Sequence, residues 1–264
     1  MEITDNRIDH GKAFDWGNVS QEYAKYRDIY PKAFYDRILE RNLCVKGQKV
    51  LDVGTGTGVL PRNLYAYGAD WLGIDSSENQ IAEARRLSAE QNRNIRYEVS
   101  AVEDIDYPDD FVDVITACQC FWYFDYQKAA PILSRILKPG GRLLILYMAW
   151  LPFEDRIAGA SEALVLKYSP DWSGAGEKRK PIFIPDCMFD YFEMVSHEEF
   201  DLSVPFTRDT WHGRMKACRG VGASLTEEQL QAWEKEHREL LDKTAPEQFE
   251  VLYYAALAEL RVKK

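Results

Sequence analysis

The 264-residue chain has no excess of basic residues: 33 lysines and arginines face 43 aspartates and glutamates, a formal charge of -10. Proteins hold nucleic-acid backbones chiefly by neutralising phosphates, so this balance excludes such a partner unless basic residues gather locally. The one dense cluster, Lys178-Arg179-Lys180, has Gly174, Gly176 and Pro181 as neighbours, which mark it as a solvated turn. Long apolar runs are also missing. The longest, Leu143 to Leu151, is too short to cross a bilayer, and the amino terminus lacks the charged-then-apolar pattern of a signal peptide. A soluble, cytoplasmic protein with no membrane partner is expected. Cysteine is scarce: Cys44, Cys118, Cys120, Cys187 and Cys218 are odd in number and scattered, which excludes a disulfide framework. Cys118 and Cys120 stand one residue apart after a strand, a spacing open to soft-metal chemistry, but no third ligand lies nearby. Free thiols and no metal are expected. Internal repeats and low-complexity tracts are absent.

What the chain does have is Val50 to Gly58, VLDVGTGTG, with glycines at alternate positions directly after an apolar strand and an acidic residue. A buried strand must turn tightly before the helix that covers it, and glycine permits positive φ and a close backbone approach to a ligand. The dinucleotide fingerprint places glycines first, third and sixth; here the fifth is Gly58 and the sixth is Val59, which argues against NAD and an NAD-linked oxidoreductase. A second apolar run, Trp71 to Ile74, ends in Asp75, where a carboxylate at a strand's end can accept both hydroxyl protons of a ribose. Ser77 with Gln80 makes a capping box, so a helix is expected from about Glu78 to Gln91. An adenosine-containing cofactor is implied.

The rhythm continues with strands near 50, 72, 95–99 and 112–117 alternating with helices, the pattern of a parallel sheet. Tyr126, Ala130, Leu133 and Leu137 line one helix face before Pro139-Gly140-Gly141 turns the chain into a strand from Arg142 to Trp150. Ahead of this core, the aromatic segment Phe14 to Tyr30 and a helix from Pro31 to Arg41 form a lid candidate. After it come helical stretches at Glu154 to Tyr168 and Asp186 to Val195, then a strand at Phe200 to Phe206. A helix opened by Ser224 and Glu227 carries Leu230, Trp233, His237 and Leu241 on one face, which makes His237 a core residue. The last segment, Phe249 to Val262, is as helical as extended by composition.

Four stations, VLDVGTGTG, Gly73 to Ser77 (GIDSS), Val102-Glu103, and Leu137 to Ile145 (LKPGGRLLI), resemble in sequence and spacing a class I S-adenosylmethionine-dependent methyltransferase. The resemblance is to the broad type 11 group that includes the trans-aconitate methyltransferase-like enzymes, and it covers residues 47 to 150. It implies an α/β fold of the Rossmann-like methyltransferase kind: a mostly parallel seven-stranded sheet, helices on both faces and a helical cap insertion. Phe200 to Phe206 would then be strand six and Phe249 to Val262 an antiparallel strand seven. The expected organisation is a lid at 1–41, a cofactor-binding core at 42–150, a cap at 151–197, and completion of the sheet at 198–264.

The same resemblance implies S-adenosylmethionine as cofactor. Gly54, Thr55 and Gly56 would pass its methionyl end, Asp75 would hold the ribose, and Ser76 and Gln80 would flank the adenine. Val102 and Glu103 would meet the adenine edge, and Gln119 would border the methyl donor. Tyr23, Tyr26, Arg27, Tyr30 and Pro31 resemble the recurring elements of the family's leader, in which Arg27 would pair with the methionyl carboxylate.

After the fourth strand relatives often read Gln-Ala-Leu-His-Trp-Phe, whereas this chain has Trp122 in the histidine's place. That puts trans-aconitate itself in doubt as substrate. An aromatic wall of Phe121, Trp122 and Tyr123 would suit a flat or apolar acceptor and attract a sulfonium. Within Thr210 to Ser224, Arg214 or Arg219 could read a carboxylate and His212 is the plausible base. The expected function is methyl transfer to a small-molecule acceptor at oxygen, a carboxylate or phenol. An RNA methyltransferase and a catalytically silent S-adenosylmethionine-binding regulator are the alternatives.

Overall fold

Apolar strands separated by amphipathic helices make up the computed structural model, which describes residues 8–12 and 25–264. Its elements are α1 (Lys32–Leu39), β1 (Lys49–Val53), α2 (Val59–Leu64), β2 (Asp70–Asp75), α3 (Glu78–Glu90), β3 (Arg96–Val99), β4 (Val112–Cys118) and α4 (Tyr126–Ile136). They continue with β5 (Leu137–Trp150), α5 (Arg156–Tyr168), β6 (Phe192–Thr207), α6 (Arg208–Lys216), α7 (Glu227–Thr244) and β7 (Gln248–Val262). The lid candidate is described only from Lys25 onward; Phe14 to Ala24, with Tyr23, lie outside the described residues.

One seven-stranded sheet has the order β3-β2-β1-β4-β5-β7-β6. The first five strands are parallel, with Val53 beside both Ile74 and Ala117, Asp75 beside Val99, and Cys118 beside Leu146. Their C-terminal ends, and the loops that follow, therefore share one edge. Strand β7 runs against its neighbours. Ser203 bonds Glu250 while Glu193 pairs with Arg261, and Leu151 bonds Leu252 while Arg142 pairs with Glu259, so residue numbers rise on one strand as they fall on the other. The expected antiparallel seventh strand is thus present, in a segment whose composition did not distinguish strand from helix.

Three local expectations are corrected. The turn at Pro139-Gly140-Gly141 lies inside β5 as an irregularity: Val112 and Val114 face Leu137 and Arg142, so four residues bow out opposite one. The helix expected over Asp186 to Val195 is only a 3-10 turn at Asp186–Asp190, because the chain is already extended from Phe192. The last helix is capped by Thr226 rather than Ser224, in a reciprocal capping box with Gln229. Ser77 does cap its helix, its hydroxyl accepting the Gln80 N–H.

The chain divides into two compact units. The first comprises Lys32–Met148, Lys180–Phe200 and Ala255–Lys264. Its core packs Leu51, Val53, Leu72, Ile74 and Ile115 from the strands with Leu133 and Ile136 from α4 and Phe192 and Leu260 from β6 and β7. The second comprises Met1–Pro31, Ala149–Arg179 and Asp201–Tyr254. Its core is aromatic: Trp150 meets Trp211 and Tyr253 edge to face, and Phe206 meets Trp211 likewise.

In this second unit α6 and α7 bury two histidines. The Nδ1 atoms of His212 and His237 lie 2.9 Å apart, His237 Nε2 is 3.0 Å from the Ser161 hydroxyl, and that oxygen accepts the Trp211 indole N–H. Trp233 stacks on both rings. Burial, reinforced by Arg238, pulls His212 from its ordinary 6.5 to about 4, while burial and the neighbouring ring pull His237 to about 3. Both rings are neutral in the folded protein at pH 6, when the unfolded chain begins to take up protons; their stabilisation is complete above pH 6.5 and is lost as pH falls below it. The His237→Gln variant isolates this effect. Its stability deficit relative to wild type should shrink between pH 6.5 and 4 by about 1.4 kcal/mol per pH unit in urea titrations. A deficit that stays constant would mean that the ring titrates normally in the native state.

Candidate functional site

The shared edge of the first unit is organised by a buried carboxylate. Asp52 on β1 is 2% exposed and stands directly beside Thr116 of β4. Its oxygens accept hydrogen bonds of 2.6 Å from the hydroxyls of Thr116 and Thr55. Burial raises its pKa to about 6 against the opposing pull of the two hydroxyls. Thr55 is the second residue of the glycine loop, and its N–H also donates to Ile74 O at 2.8 Å, so the loop is fastened to β1 and β2 directly and to β4 through Asp52. Gly54 has φ +62, and a Cβ there would lie 2.6 Å from the Cβ of Cys120, whose thiol donates to Val53 O. Gly58 has φ +75, and its added Cβ would meet the Tyr97 hydroxyl, which Ser88 fixes at 3.0 Å.

Asp75 ends β2 at the same edge. The Gly56 N–H donates to its Oδ2 and the Ser77 N–H to its Oδ1, each at 2.9 Å. Burial raises its pKa, and the two N–H groups oppose that shift. A carboxylate offers about four acceptor positions, so two remain, the number a ribose diol requires. The donor set thus fits an adenosine moiety. Ser76 beside it is exposed and Gln80 is buried.

Further along the edge, Val102 is buried in a 3-10 turn and Glu103 accepts the N–H of Asp125 at 2.8 Å, so this carboxylate also holds the chain entering α4. Gln119 follows β4 with φ +64, a left-handed conformation uncommon outside glycine, and is held there by its N–H bond to Leu146 O and its side-chain bond to Met148 O. Trp122 stands edge to face with Tyr147, ring centroids 5.1 Å apart, and is half-buried like Tyr123. Phe121 instead packs into the core on Phe124 and Tyr126. The cysteines are free, and among the described residues no cluster of three His, Cys, Asp or Glu could hold a metal.

Sequence reasoning missed three members of this arrangement. Asp52 was visible only as an acidic strand residue, and its pairing with Thr116 depends on a sheet register that no local pattern encodes. Cys120 and Tyr97 reveal their roles only through the space the glycines leave.

The other expected site residues belong to the second unit: Arg27, His212 and Arg214. The packing of His212 against His237 and Trp233 assigns it to the core and leaves it poorly placed as a base. Arg219 already has its carboxylate, pairing with the buried Asp9 at 2.7 Å. Arg214 is 4% exposed, with its guanidinium 4.9 Å from the centre of the Trp150 ring.

Residues 51–145 match the methyltransferase domain family. The chain carries a class I methyltransferase domain. The ubiquinone biosynthesis O-methyltransferase of Coxiella burnetii is 31% identical over 132 residues, 50% of this chain and 56% of that protein. The protein of the same name from Thiobacillus denitrificans is also 31% identical over 132 residues, 49% of this chain and 56% of that protein. The chain thus spans about half the length of the curated relatives it matches. Among solved structures, the [4+2]-cyclase SpnF aligns over 93% of each chain with TM-score 0.56 and 17% identity. The YcgJ protein of Bacillus subtilis aligns over 89% of this chain and 99% of its own, with TM-score 0.51 and 19% identity. At those identities the likeness concerns the fold, which is the Rossmann-like methyltransferase architecture.

In this methyltransferase domain Gly54→Ala would meet both the Cys120 contact and an unfavourable positive φ, worth about 1–2 kcal/mol for the backbone alone. The variant should lose at least about 2 kcal/mol in urea unfolding. Adding Cys120→Gly should restore only the steric share. Full recovery in the double variant would show that the loop is not held left-handed.

Proposed function

We propose that the protein transfers a methyl group from S-adenosylmethionine to a small-molecule acceptor, at oxygen. The observation that carries this reading is the Asp75 carboxylate, left with two acceptor positions beside a loop of left-handed glycines on the same sheet edge. In this reading Asp75 holds the ribose hydroxyls and the backbone of Gly54, Thr55 and Gly56 borders the methionyl end. Ser76, Gln80, Val102 and Glu103 surround the adenine, and Gln119 borders the methyl donor. Arg27 is assigned to the methionyl carboxylate.

S-adenosylmethionine, when bound, supplies a methyl group already activated on a sulfonium. What remains for the chain is alignment and exclusion of water; holding the acceptor in line is worth up to about 7–11 kcal/mol. The half-exposed rings of Trp122 and Tyr123 can face a sulfonium, an attraction of about 0.5–2 kcal/mol. Because His212 is buried and stacked, an acceptor that is an anion before it binds, a carboxylate or a phenolate, suits this chain better than one that must be deprotonated.

Support for oxygen comes from the relatives named as O-methyltransferases. A small acceptor is favoured over RNA by the acidic charge and by the basic turn itself, where Arg179 is already paired with Asp201 and Glu154. Among the described residues no helix is long and apolar enough to cross a membrane, which agrees with a cytoplasmic setting.

Asp75→Ala should weaken S-adenosylhomocysteine binding by at least about tenfold in calorimetry, equivalent to about 1.4 kcal/mol. Asp75→Asn, which keeps one acceptor oxygen, should lose less. Equal affinity in wild type and Asp75→Ala would remove the ribose assignment and with it the cofactor reading.

A further inference from the structure

We infer that Trp122 and Tyr147 form a binding corner for a planar aromatic ring, so that the methyl acceptor is an aromatic alcohol rather than an open-chain acid; the inference rests on the methyl-transfer reading above. Both residues belong to the same compact unit as the glycine loop and Asp75. Sheet register fixes their place in it. Val53 stands beside Ala117 and Cys118 beside Leu146, so Gln119 and Tyr147 lie one residue past the last position at which β4 and β5 pair, level with the glycine loop. Gln119 is bonded to the backbone on either side of Tyr147, its N–H to Leu146 O at 2.9 Å and its side chain to Met148 O at 2.5 Å. Across the edge the order is Asp75 on β2, the loop after β1, Gln119 after β4 and Tyr147 on β5. With neighbouring strands about 4.8 Å apart, Tyr147 is about 10 Å from the loop, on the side away from Asp75.

The first observation is the angle between the rings. The centroids of Trp122 and Tyr147 are 5.1 Å apart and their planes cross at 86°. Tyr123, 5.8 Å from Trp122, is tilted 50° to the indole. Neither of these rings lies parallel to Trp122, which is only half-buried, whereas Trp71, Trp211 and Trp233, which serve packing, are 2% exposed or less. Aromatic rings favour two arrangements, offset stacking and edge to face. A flat ring laid parallel to the Trp122 indole is nearly perpendicular to Tyr147, so one ligand makes both contacts at once. A saturated ring or an open chain gains buried area there and neither of the two ring contacts.

The second observation concerns charge. From Val114 to Phe124, and from Leu143 to Met148, the chain has no charged residue. The segments that bring Trp122 and Tyr147 to the edge therefore bring no cation, and a carboxylate desolvated against them would lack a counter-charge. A phenol instead places its ring in the corner and presents a single oxygen. The corner is also held stiffly. Phe121, 2% exposed, anchors the 3-10 turn Phe121–Tyr123 in the core, so the turn has its anchor without Trp122. The Tyr123 N–H donates to Cys120 O at 3.0 Å, and Glu103 accepts the Asp125 N–H just beyond the turn at 2.8 Å.

The test uses the full-length protein saturated with S-adenosylhomocysteine. Calorimetry compares pairs that differ in the ring alone, phenol with cyclohexanol, catechol with cyclohexanediol and benzoate with cyclohexanecarboxylate, beside succinate as a ringless acid. At least one phenol should bind about fivefold or more tightly than its saturated partner, and succinate should not compete with it. Trp122→Leu and Tyr147→Leu should each abolish that preference and leave S-adenosylhomocysteine affinity within about twofold. Tyr147→Phe, which keeps the ring, should retain the preference, so its loss in Tyr147→Leu alone reports the ring contact rather than a disturbed fold. Equal affinity within every pair, no binding by any aromatic member, or a preference that survives both leucine variants overturns the corner. Competition by succinate would assign the position to acid groups and overturn it as well. In all of these cases binding of S-adenosylhomocysteine by the wild type leaves the methyl-transfer reading standing; absence of that binding would sink the reading itself.

Discussion

The cofactor edge depends on one carboxylate being removed from water. Asp52 lies in the middle of the sheet, and its two oxygens are claimed by hydroxyls from different places, Thr116 on the adjacent strand and Thr55 in the loop. Burying a carboxylate is costly, and two short hydrogen bonds recover only part of that cost, as its raised pKa shows. What the arrangement gains is position. Thr55 cannot leave without orphaning a buried acid, so the backbone that must approach a ligand is fixed before any ligand arrives. The same economy appears at Asp75, where the Gly56 and Ser77 N–H groups orient a carboxylate that keeps acceptor capacity in reserve.

How much of this was legible in the sequence follows from the range of the interaction that carries each feature. The loop, the acid at the end of β2 and the Ser77 cap are contiguous patterns and could be read directly. The seventh strand could not: FEVLYYAALAEL satisfies either periodicity, and it is extended because β5 and β6 leave a vacancy between them that a strand fills. Over Asp186 to Val195 local pattern misled for the same reason, since the sheet draws the chain into β6 earlier than its composition suggests. The partners of Arg219 and His212 lie far away in the chain, at Asp9 and His237, so a sequence segment rich in arginine and histidine looked more uniformly functional than it is.

The comparisons sharpen where identity ends. The family match, residues 51–145, takes in the glycine loop and most of the first five strands, while the aromatic second unit lies outside it. A cyclase shares this architecture over nearly its whole length, a reminder that the sheet and its loop supply a binding frame whose chemistry is set by what surrounds it. Differences among such proteins are therefore to be sought in the partners of individual buried polar groups rather than in the topology.

The two units are interleaved along the chain, with boundaries after Pro31, Met148, Arg179, Phe200 and Tyr254. Neither can be excised by a single cut, and three of those boundaries fall inside strands β5, β6 and β7. A protease nick in any one connection leaves the fragments joined through the others, and a ribosome must deliver nearly the entire polypeptide before either body has all its parts. Grafting the aromatic unit onto another sheet of this architecture would require splicing within strands, so single substitutions change it more readily than exchange of the whole unit.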